Sequence, residues 1–143
     1  MLNANFILRT FQQLDSNLVI LRRISGMSLE QFIADPFING SAERYLQVSI
    51  EICLDVTRHI ISTESLGYPQ THAEAFAMLA QANIIPDDLL STLQRMAGFR
   101  NRLVHLYWDI EQEMIHEILR TQLNDFDLYR DCIVAYLDQR GLI

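Results

Sequence analysis

The sequence contains no lysine, because all 11 of its basic side chains are arginines. A P-loop needs the lysine of its Gly-x-x-x-x-Gly-Lys motif and a Schiff-base enzyme needs a lysine amine, so both classes are excluded. Cysteine is also scarce. Cys53 and Cys132 lie in no Cys-x-x-Cys pair and at no zinc-ligand spacing from a histidine, which argues against a disulfide scaffold or a structural zinc. We expect no metal and no cofactor.

Long apolar runs are missing as well. No run approaches the ~20 residues needed to span a bilayer, and the N-terminus lacks the pattern of a signal peptide, so we expect a cytoplasmic protein without a membrane partner. The net charge of −7 argues against DNA binding or a general nucleic-acid coat, although it leaves room for a local basic site. With 50% hydrophobic residues in 143, the chain predicts one packed domain over residues 1–143.

The apolar residues recur at helical spacing, and no segment alternates as a strand would. From Phe6 to Ile24 they follow steps of four and three, which predicts one helix ended by Gly26. After Gly40 a second pattern predicts the longest core helix. The expected buried positions in the two helices are Ile7, Phe11, Leu14, Leu18 and Leu21, and then Leu46, Ile50, Cys53, Leu54, Thr57, Ile60 and Ile61.

Capping and breaking residues predict the remaining boundaries, and the whole pattern predicts an all-α fold, an antiparallel helical bundle. The predicted signals are a capping box at Ser28 and Gln31, a stop at Asp35-Pro36, a second box at Thr71 and Glu74 opening a helix to about Asn83, a start at Pro86 with Asp87 and Asp88, caps at Asp109 with Gln112 and at Asn124 with Asp127, and an end near Arg140-Gly141.

One segment differs in charge from the rest of this acidic chain. Residues 89–108 contain no carboxylate but include Arg95, Arg100, Arg102 and His105. Such a patch can focus an anion locally. Charge alone is equally compatible with a solvated basic helix end that interacts with the helix dipole.

Spacing bears on that choice. At about 100° per residue, Asn101 and His105 share a face, whereas Arg100 and His105 are about 140° apart. One straight helix therefore places them together poorly, while two copies related by a two-fold axis would place them in a shared cleft. A functional pair implies a dimer through these helices. Asp109, four residues after His105, is a candidate to orient the imidazole and equally a helix cap.

Residues 100–107, RNRLVHLY, match the Arg-x4-His-x-Tyr motif of HepT-like toxins in the HEPN ribonuclease superfamily, including the polar residue after the arginine. The segment AERYLQ at 42–47, Glu51, Asp55 and HII at 59–61 also resemble the family's long helix. The resemblance covers most of residues 41–120 and implies a HEPN-type helical bundle.

The resemblance implies an endoribonuclease that needs no metal. His105 would act as general base or acid on the ribose 2′-hydroxyl to give a cyclic phosphate, Arg100 would stabilise the phosphorane charge, and Asn101 would position His105 or the RNA. These side chains suit those roles, because an imidazole exchanges a proton near neutral pH and a guanidinium fork matches phosphate oxygens. Arg95 and Arg102 are the candidate RNA-binding residues beside them.

The tyrosine of the motif is Tyr107. The resemblance to HepT-like proteins implies that this tyrosine is a regulatory acceptor, to which a minimal nucleotidyltransferase antitoxin attaches AMP and thereby silences the toxin. Phosphate added near Arg100 would neutralise the group that RNA needs. Without the family, Tyr107 reads more simply as a packed ring with a hydrogen-bonded hydroxyl.

The expected partners are therefore RNA, either tRNA or mRNA, the antitoxin, and a second copy of the chain in a homodimer or higher oligomer. The alternative is a non-catalytic HEPN-type subunit that binds nucleotide or substrate for a nucleotidyltransferase. A purely structural dimerisation subunit is a third possibility. His105 favours the enzyme, because phosphate binding alone needs no titrating group. We expect His59, His72 and His116 to be packing residues or polar residues of the surface.

Overall fold

The structure, a computed structural model, describes residues 1–105 and 110–143. Within these ranges the chain forms seven α-helices and no β-strand, which confirms the prediction of an all-α fold. The helices are α1 (Ala4–Ser25), α2 (Leu29–Ala34), α3 (Pro36–Thr63), α4 (His72–Gln81), α5 (Asp87–His105), α6 (Gln112–Thr121) and α7 (Asn124–Gln139).

The junction of α2 and α3 corrects one predicted boundary. The Ser28–Gln31 capping box opens α2 as predicted, and Asp35 is its C-cap. Pro36, however, is the first residue of α3, so the long helix does not wait for Gly40. A proline fits the first helical turn because its missing N–H would have no partner there, and Asp35 caps the helix by accepting from the Phe37 N–H at 3.0 Å.

Other caps are partly as predicted. Gly26 ends α1, and α5 starts at Asp87. The Thr71 side chain accepts from the Glu74 N–H at 3.0 Å, but the Glu74 carboxylate returns to the N–H of Gln70, so the second capping box is shifted by one residue.

One predicted cap is wrong, because Leu123 rather than Asn124 precedes α7, with no side-chain cap. Asn124 lies one position inside α7, a difference within the one or two residues by which helix ends vary. The other predicted cap, Asp109, lies outside the described residues, and Glu111 precedes α6 without a side-chain cap.

The central helix α3 contacts all six other helices. All five predicted apolar positions of α1 are buried, and so are all seven of α3. At the centre, the Tyr129 hydroxyl of α7 donates to the Cys53 carbonyl at 3.0 Å and lies 2.6 Å from Thr57 Oγ1. Because a hydroxyl has one proton, Thr57 is the donor in the second bond. This network fixes α7 against α3.

Helix α5 packs between α3, α4 and α7. Its first turn holds Asp87 and Asp88 and its last described turn holds Arg102 and His105, so its charges oppose the helix dipole at both ends. The packing leaves Asn101 and His105 of the basic segment exposed. No helix within residues 1–105 or 110–143 has the length and apolar character that a membrane span requires.

Candidate functional site

Arg100 extends from α5 toward α3, where it meets the carboxylate of Glu51. Its Nε donates to Glu51 Oε1 at 3.3 Å, and its Nη2 lies 3.2 Å from the same oxygen. The two side chains retain 23% and 30% exposure, so the ion pair is partly shielded from water but still reachable from outside. The pair holds the guanidinium on the α3 side of α5.

Glu51 belongs to a polar stripe along α3, formed by Gln47, Glu51, Asp55 and Arg58. Gln47 Nε2 donates to Glu51 Oε1 at 3.0 Å, so this oxygen is held from α3 itself while it binds Arg100. Sequence reasoning noted Glu51 and Asp55 only as part of a resemblance and gave them no role. The available signal was the spacing of four, four and three, which puts polar side chains on one face of an otherwise apolar helix.

The stripe changes the charge properties of Asp55. Burial and the neighbouring carboxylate of Glu51 raise the pKa of Asp55, while Arg58 and Arg100 act in the opposite direction. Both guanidinium groups are therefore close enough to α3 for their charges to be felt at this carboxylate. The stripe is an acidic surface that two arginines partly neutralise.

His72, the first residue of α4, joins the same cluster. Arg58 Nη2 lies 2.7 Å from His72 Nδ1. Since arginine can only donate, Nδ1 accepts, and the proton of the neutral ring is on Nε2. Burial, then Arg58 and Arg100, lower the pKa of His72, so the ring is neutral at neutral pH. His72 thus contacts the arginine at the end of the polar stripe, which sequence reasoning did not predict.

His105 and Asn101 lie one helical turn apart on α5, and both are exposed. The Asn101 Oδ1 accepts from Arg100 Nη1 at 3.4 Å, so the structure brings these two predicted site residues together. The imidazole of His105 makes no hydrogen bond to any group of residues 1–105 or 110–143. It does not contact Arg100 within one chain, as the separation of about 140° predicts.

Arg95 and Arg102 lie on another side of α5 from Arg100. Arg95 Nη2 donates to Thr92 Oγ1 at 3.3 Å, and Arg102 Nη1 lies 3.5 Å from Met114 Sδ. Both line a groove of about 510 Å³ between α5 and α6. Apolar residues of this groove include Leu46, Ile50, Phe99 and Phe126. The two arginines therefore flank an apolar groove instead of extending the cluster at Arg100.

Tyr107, Trp108 and Asp109 lie outside the described residues. Two assignments therefore stay predictions: Tyr107 as the AMP acceptor, and Asp109 as a partner of His105.

The other two histidines hold the fold together. His59 Nε2 accepts from the Asn3 N–H at 3.1 Å, and His116 Nε2 lies 2.8 Å from the Met27 carbonyl with its ring packed on Phe32. Burial is the main reason that the pKa of His59 is lowered. Among the residues that the structure describes, no group of three or more His, Cys, Asp or Glu side chains is arranged to hold a metal ion.

Residues 14–133 match the family described as ribonuclease HepT-like. An mRNA nuclease HepT from Shewanella oneidensis is 34% identical over 105 residues, which cover 73% of this chain and 79% of that protein. A tRNA nuclease HepT from Aphanizomenon flos-aquae is 30% identical over 117 residues, covering 82% of this chain and 80% of the relative.

The fold is also similar to a solved complex, that of a tri-AMPylated HEPN toxin from Shewanella oneidensis with its MNT antitoxin. The toxin chain superposes with a TM-score of 0.85 at 28% identity, and the match covers 93% of this chain and 99% of that one. The similarity extends beyond the motif region to nearly the whole helical bundle.

Proposed function

The chain belongs to the HepT-like ribonuclease family, and from that membership and the geometry of α5 we propose that it is an endoribonuclease toxin. The observation that supports this most directly is the contrast between two side chains of α5. Arg100 is fixed by Glu51 and remains reachable, whereas His105 is exposed and its imidazole makes no hydrogen bond within residues 1–105 and 110–143. A fixed cation and an unengaged imidazole suit phosphate binding and proton transfer.

In the proposed reaction His105 removes the proton from the ribose 2′-hydroxyl as that oxygen attacks the adjacent phosphorus. The P–O5′ bond breaks, a 2′,3′-cyclic phosphate forms, and the leaving oxygen takes up a proton. Arg100 stabilises the added negative charge on the phosphorane. Asn101, which already contacts Arg100, positions the guanidinium or the RNA. The nucleophile belongs to the substrate, so the reaction needs no metal-bound water.

The active centre is proposed to be composite. Arg100 reaches to the α3 side of α5 and His105 to another side, so one chain supplies the two groups in different directions. A two-fold pairing of two chains through α5 would put the imidazole of one near the guanidinium of the other. The proposed active form is a homodimer or a higher homo-oligomer of the single domain at residues 1–143.

Regulation is proposed to follow that of the Shewanella oneidensis complex, in which the toxin is AMPylated and bound to an MNT antitoxin. The proposed acceptor in this chain is Tyr107, two residues after His105. AMP there would add a negative charge and a nucleoside beside the group that moves the proton. The proposed setting of both proteins is the cytoplasm, and the RNA is tRNA or mRNA as for the two relatives.

The direct test is cleavage of RNA by the purified chain in the presence of a chelator. We expect products with cyclic-phosphate ends, detected by mass spectrometry of a defined oligonucleotide. A 2′-O-methyl oligonucleotide of the same sequence is the matched control and should stay intact, because it lacks the attacking oxygen. Products that carry a 5′-phosphate, or activity that the chelator removes, would contradict the mechanism. Binding of nucleotide without any cleavage would favour the non-catalytic alternative.

Glu51 is predicted to be a positioning residue. Glu51→Gln keeps the size of the side chain but removes the charge that holds Arg100, so we expect kcat to fall by about 10- to 100-fold while KM changes less. Glu51→Asp should recover part of the loss. The matched control is Glu30→Gln on the exposed surface of α2, which should leave kcat unchanged. Equal or faster turnover by Glu51→Gln would show that the carboxylate restrains Arg100 rather than orienting it.

A further inference from the structure

A second cavity, the loop cavity, lies beyond the Arg58 end of the polar stripe. It has a volume of about 460 Å³, within the range of small-molecule sites, and it is open to solvent. The cavity lies between the last turns of α3 and the loop that leads to α4. It is lined by Arg58, Ile61, Ser62, Ser65, Tyr68 and Pro69.

The aromatic residue of that loop is Tyr68, whose exposed fraction is 92%. An aromatic ring left almost wholly in water contributes nothing to the core of the chain, and amphipathic rings of this kind are typical of binding surfaces. Tyr68 makes no hydrogen bond and no ring contact with any residue of the described ranges. The fold therefore gives this side chain no structural use.

The backbone on both sides of Tyr68 is nevertheless fixed. The Leu66 N–H donates to the Ile61 carbonyl at 3.0 Å, and the Leu66 side chain packs on the core. Gly67 has φ +142°, and a Cβ there would lie 3.1 Å from Met78 Cε, so glycine allows the loop to sit close on α4. The Gln70 N–H is held by Glu74. The exposed ring is thus presented from an anchored loop, which lowers the entropic cost of contact.

The loop cavity lies on the same face of α3 as the ion pair of Glu51 and Arg100. Arg58 binds His72 at 2.7 Å, and His72 lies close enough to Arg100 for that charge to act on it. Along α3, Arg58 is seven residues from Glu51, which is about 10 Å at the helical rise. Asp55 lies between them as the one carboxylate of this part of the stripe. An RNA strand that runs from Arg100 along this face of α3 in the direction of Arg58 would reach the cavity.

We propose that the loop cavity is a subsite for one nucleotide of the RNA, with Tyr68 stacking on the base and Arg58 binding the adjoining phosphate. This proposal rests on the proposed function, because it extends the same strand from Arg100. The ring gives stacking that tolerates any base, and the guanidinium gives a charged contact to the backbone. The exposed hydroxyls of Ser62 and Ser65 supply hydrogen bonds to base edges or a 2′-hydroxyl. Arg58 retains further N–H donors beside the one used on His72.

The test measures affinity separately from cleavage. The full chain is titrated into a fluorescent 2′-O-methyl oligonucleotide, which cannot be cut, and binding is followed by anisotropy. Tyr68→Ala is expected to weaken binding by about 5-fold or more, the size of one lost base stack, while Tyr68→Phe stays near the parent. Arg58→Ala should also weaken binding and should flatten its salt dependence. Asp55→Asn should strengthen it.

The matched control is Phe37→Ala. Phe37 is an aromatic residue of similar exposure, 88%, in the first turn of the same helix, about 30 Å along α3 from Arg58. The Phe37→Ala variant should bind RNA as tightly as the parent. Equal losses for Phe37→Ala and Tyr68→Ala would overturn the subsite, and so would parent-like binding by Tyr68→Ala.

The two proposals fail in different ways. If Tyr68→Ala binds like the parent while the parent cuts RNA to cyclic phosphates, the subsite is wrong and the ribonuclease stands. If Tyr68 is needed for binding but the parent cuts no RNA, the subsite stands and the ribonuclease is wrong. If Tyr68→Ala impairs only association with a nucleotidyltransferase partner, the loop contacts protein and the subsite is overturned.

Discussion

Replacing His105 by alanine is expected to slow RNA cleavage by about 10²–10⁴-fold, the range that a general acid or base supplies. Without the imidazole, nothing on the exposed face of α5 can take the proton from the 2′-hydroxyl. Arg100 and its partner Glu51 would be unchanged, so RNA affinity should stay near that of the parent. The measurement is single-turnover cleavage of a labelled oligonucleotide, with binding measured in parallel.

The folded state should not be affected. His105 is exposed and its imidazole makes no hydrogen bond to the described residues, and exposed substitutions of this kind usually change stability by less than about 0.5 kcal/mol. Helicity and oligomer mass should therefore match the parent. Arg120→Ala, which removes an exposed cation on α6, is the matched control and should cleave normally. Parent-like cleavage by His105→Ala would show that the assigned mechanism is wrong.

Mixing variants tests the composite centre. If Arg100 of one chain acts with His105 of the other, co-expressed Arg100→Ala and His105→Ala chains form mixed dimers with one intact site. Each variant alone should be inactive, whereas the mixture should recover about a quarter of the parent rate, since half of the dimers are mixed. A mixture as inactive as its components would mean that the two groups act within one chain, or that both copies of each are required.

Replacing Tyr107 by phenylalanine is expected to abolish AMP transfer to the chain and to leave the ribonuclease active in the presence of the antitoxin. In the transfer the phenolic oxygen forms a bond to the α-phosphorus of ATP, and pyrophosphate leaves with its electron pair. Phenylalanine has no oxygen to form that bond. Intact mass after co-expression with the nucleotidyltransferase should shift by whole AMP units for the parent and not at all for Tyr107→Phe.

Tyr68→Phe is the control for this experiment, because Tyr68 is the most exposed tyrosine of the described ranges and still should not be the acceptor. Its mass shift should equal that of the parent. A shift that survives in Tyr107→Phe would place the acceptor on another residue. An unmodified parent that the antitoxin nevertheless silences would point to inhibition by binding alone.

The helical fold was predictable because its signals are local. The predicted core positions of α1, from Ile7 to Leu21, and of α3, from Leu46 to Ile61, follow the helical period. All of these predicted positions are buried. Boundaries were less predictable where one residue type fits two roles. Asp35-Pro36 ends α2 as predicted, but the same proline also begins α3, because its missing N–H fits the first turn of a helix. Asn124 has cap chemistry, but Leu123 precedes the helix.

The candidate site was predictable only in part. The motif and its angular spacing identified Arg100, Asn101 and His105, and the contact of Arg100 with Asn101 follows from their adjacency. The contact of Arg100 with Glu51 spans 49 residues and depends on how α5 is rotated against α3, which no local pattern states. The same rotation sends Arg95 and Arg102 to the groove beside α6. Charge along the chain could not distinguish these two sides.

The different directions of Arg100 and His105 on α5 have a consequence for dosage. If the active centre is composite as proposed, a lone chain would be inert, and below the dimer dissociation constant the amount of paired chain would grow as the square of the amount synthesised. Low basal expression would then produce very little dimer, whereas a modest rise in expression would raise the amount of dimer steeply. The geometry of one helix would thereby give the cell a margin of safety before any antitoxin has acted.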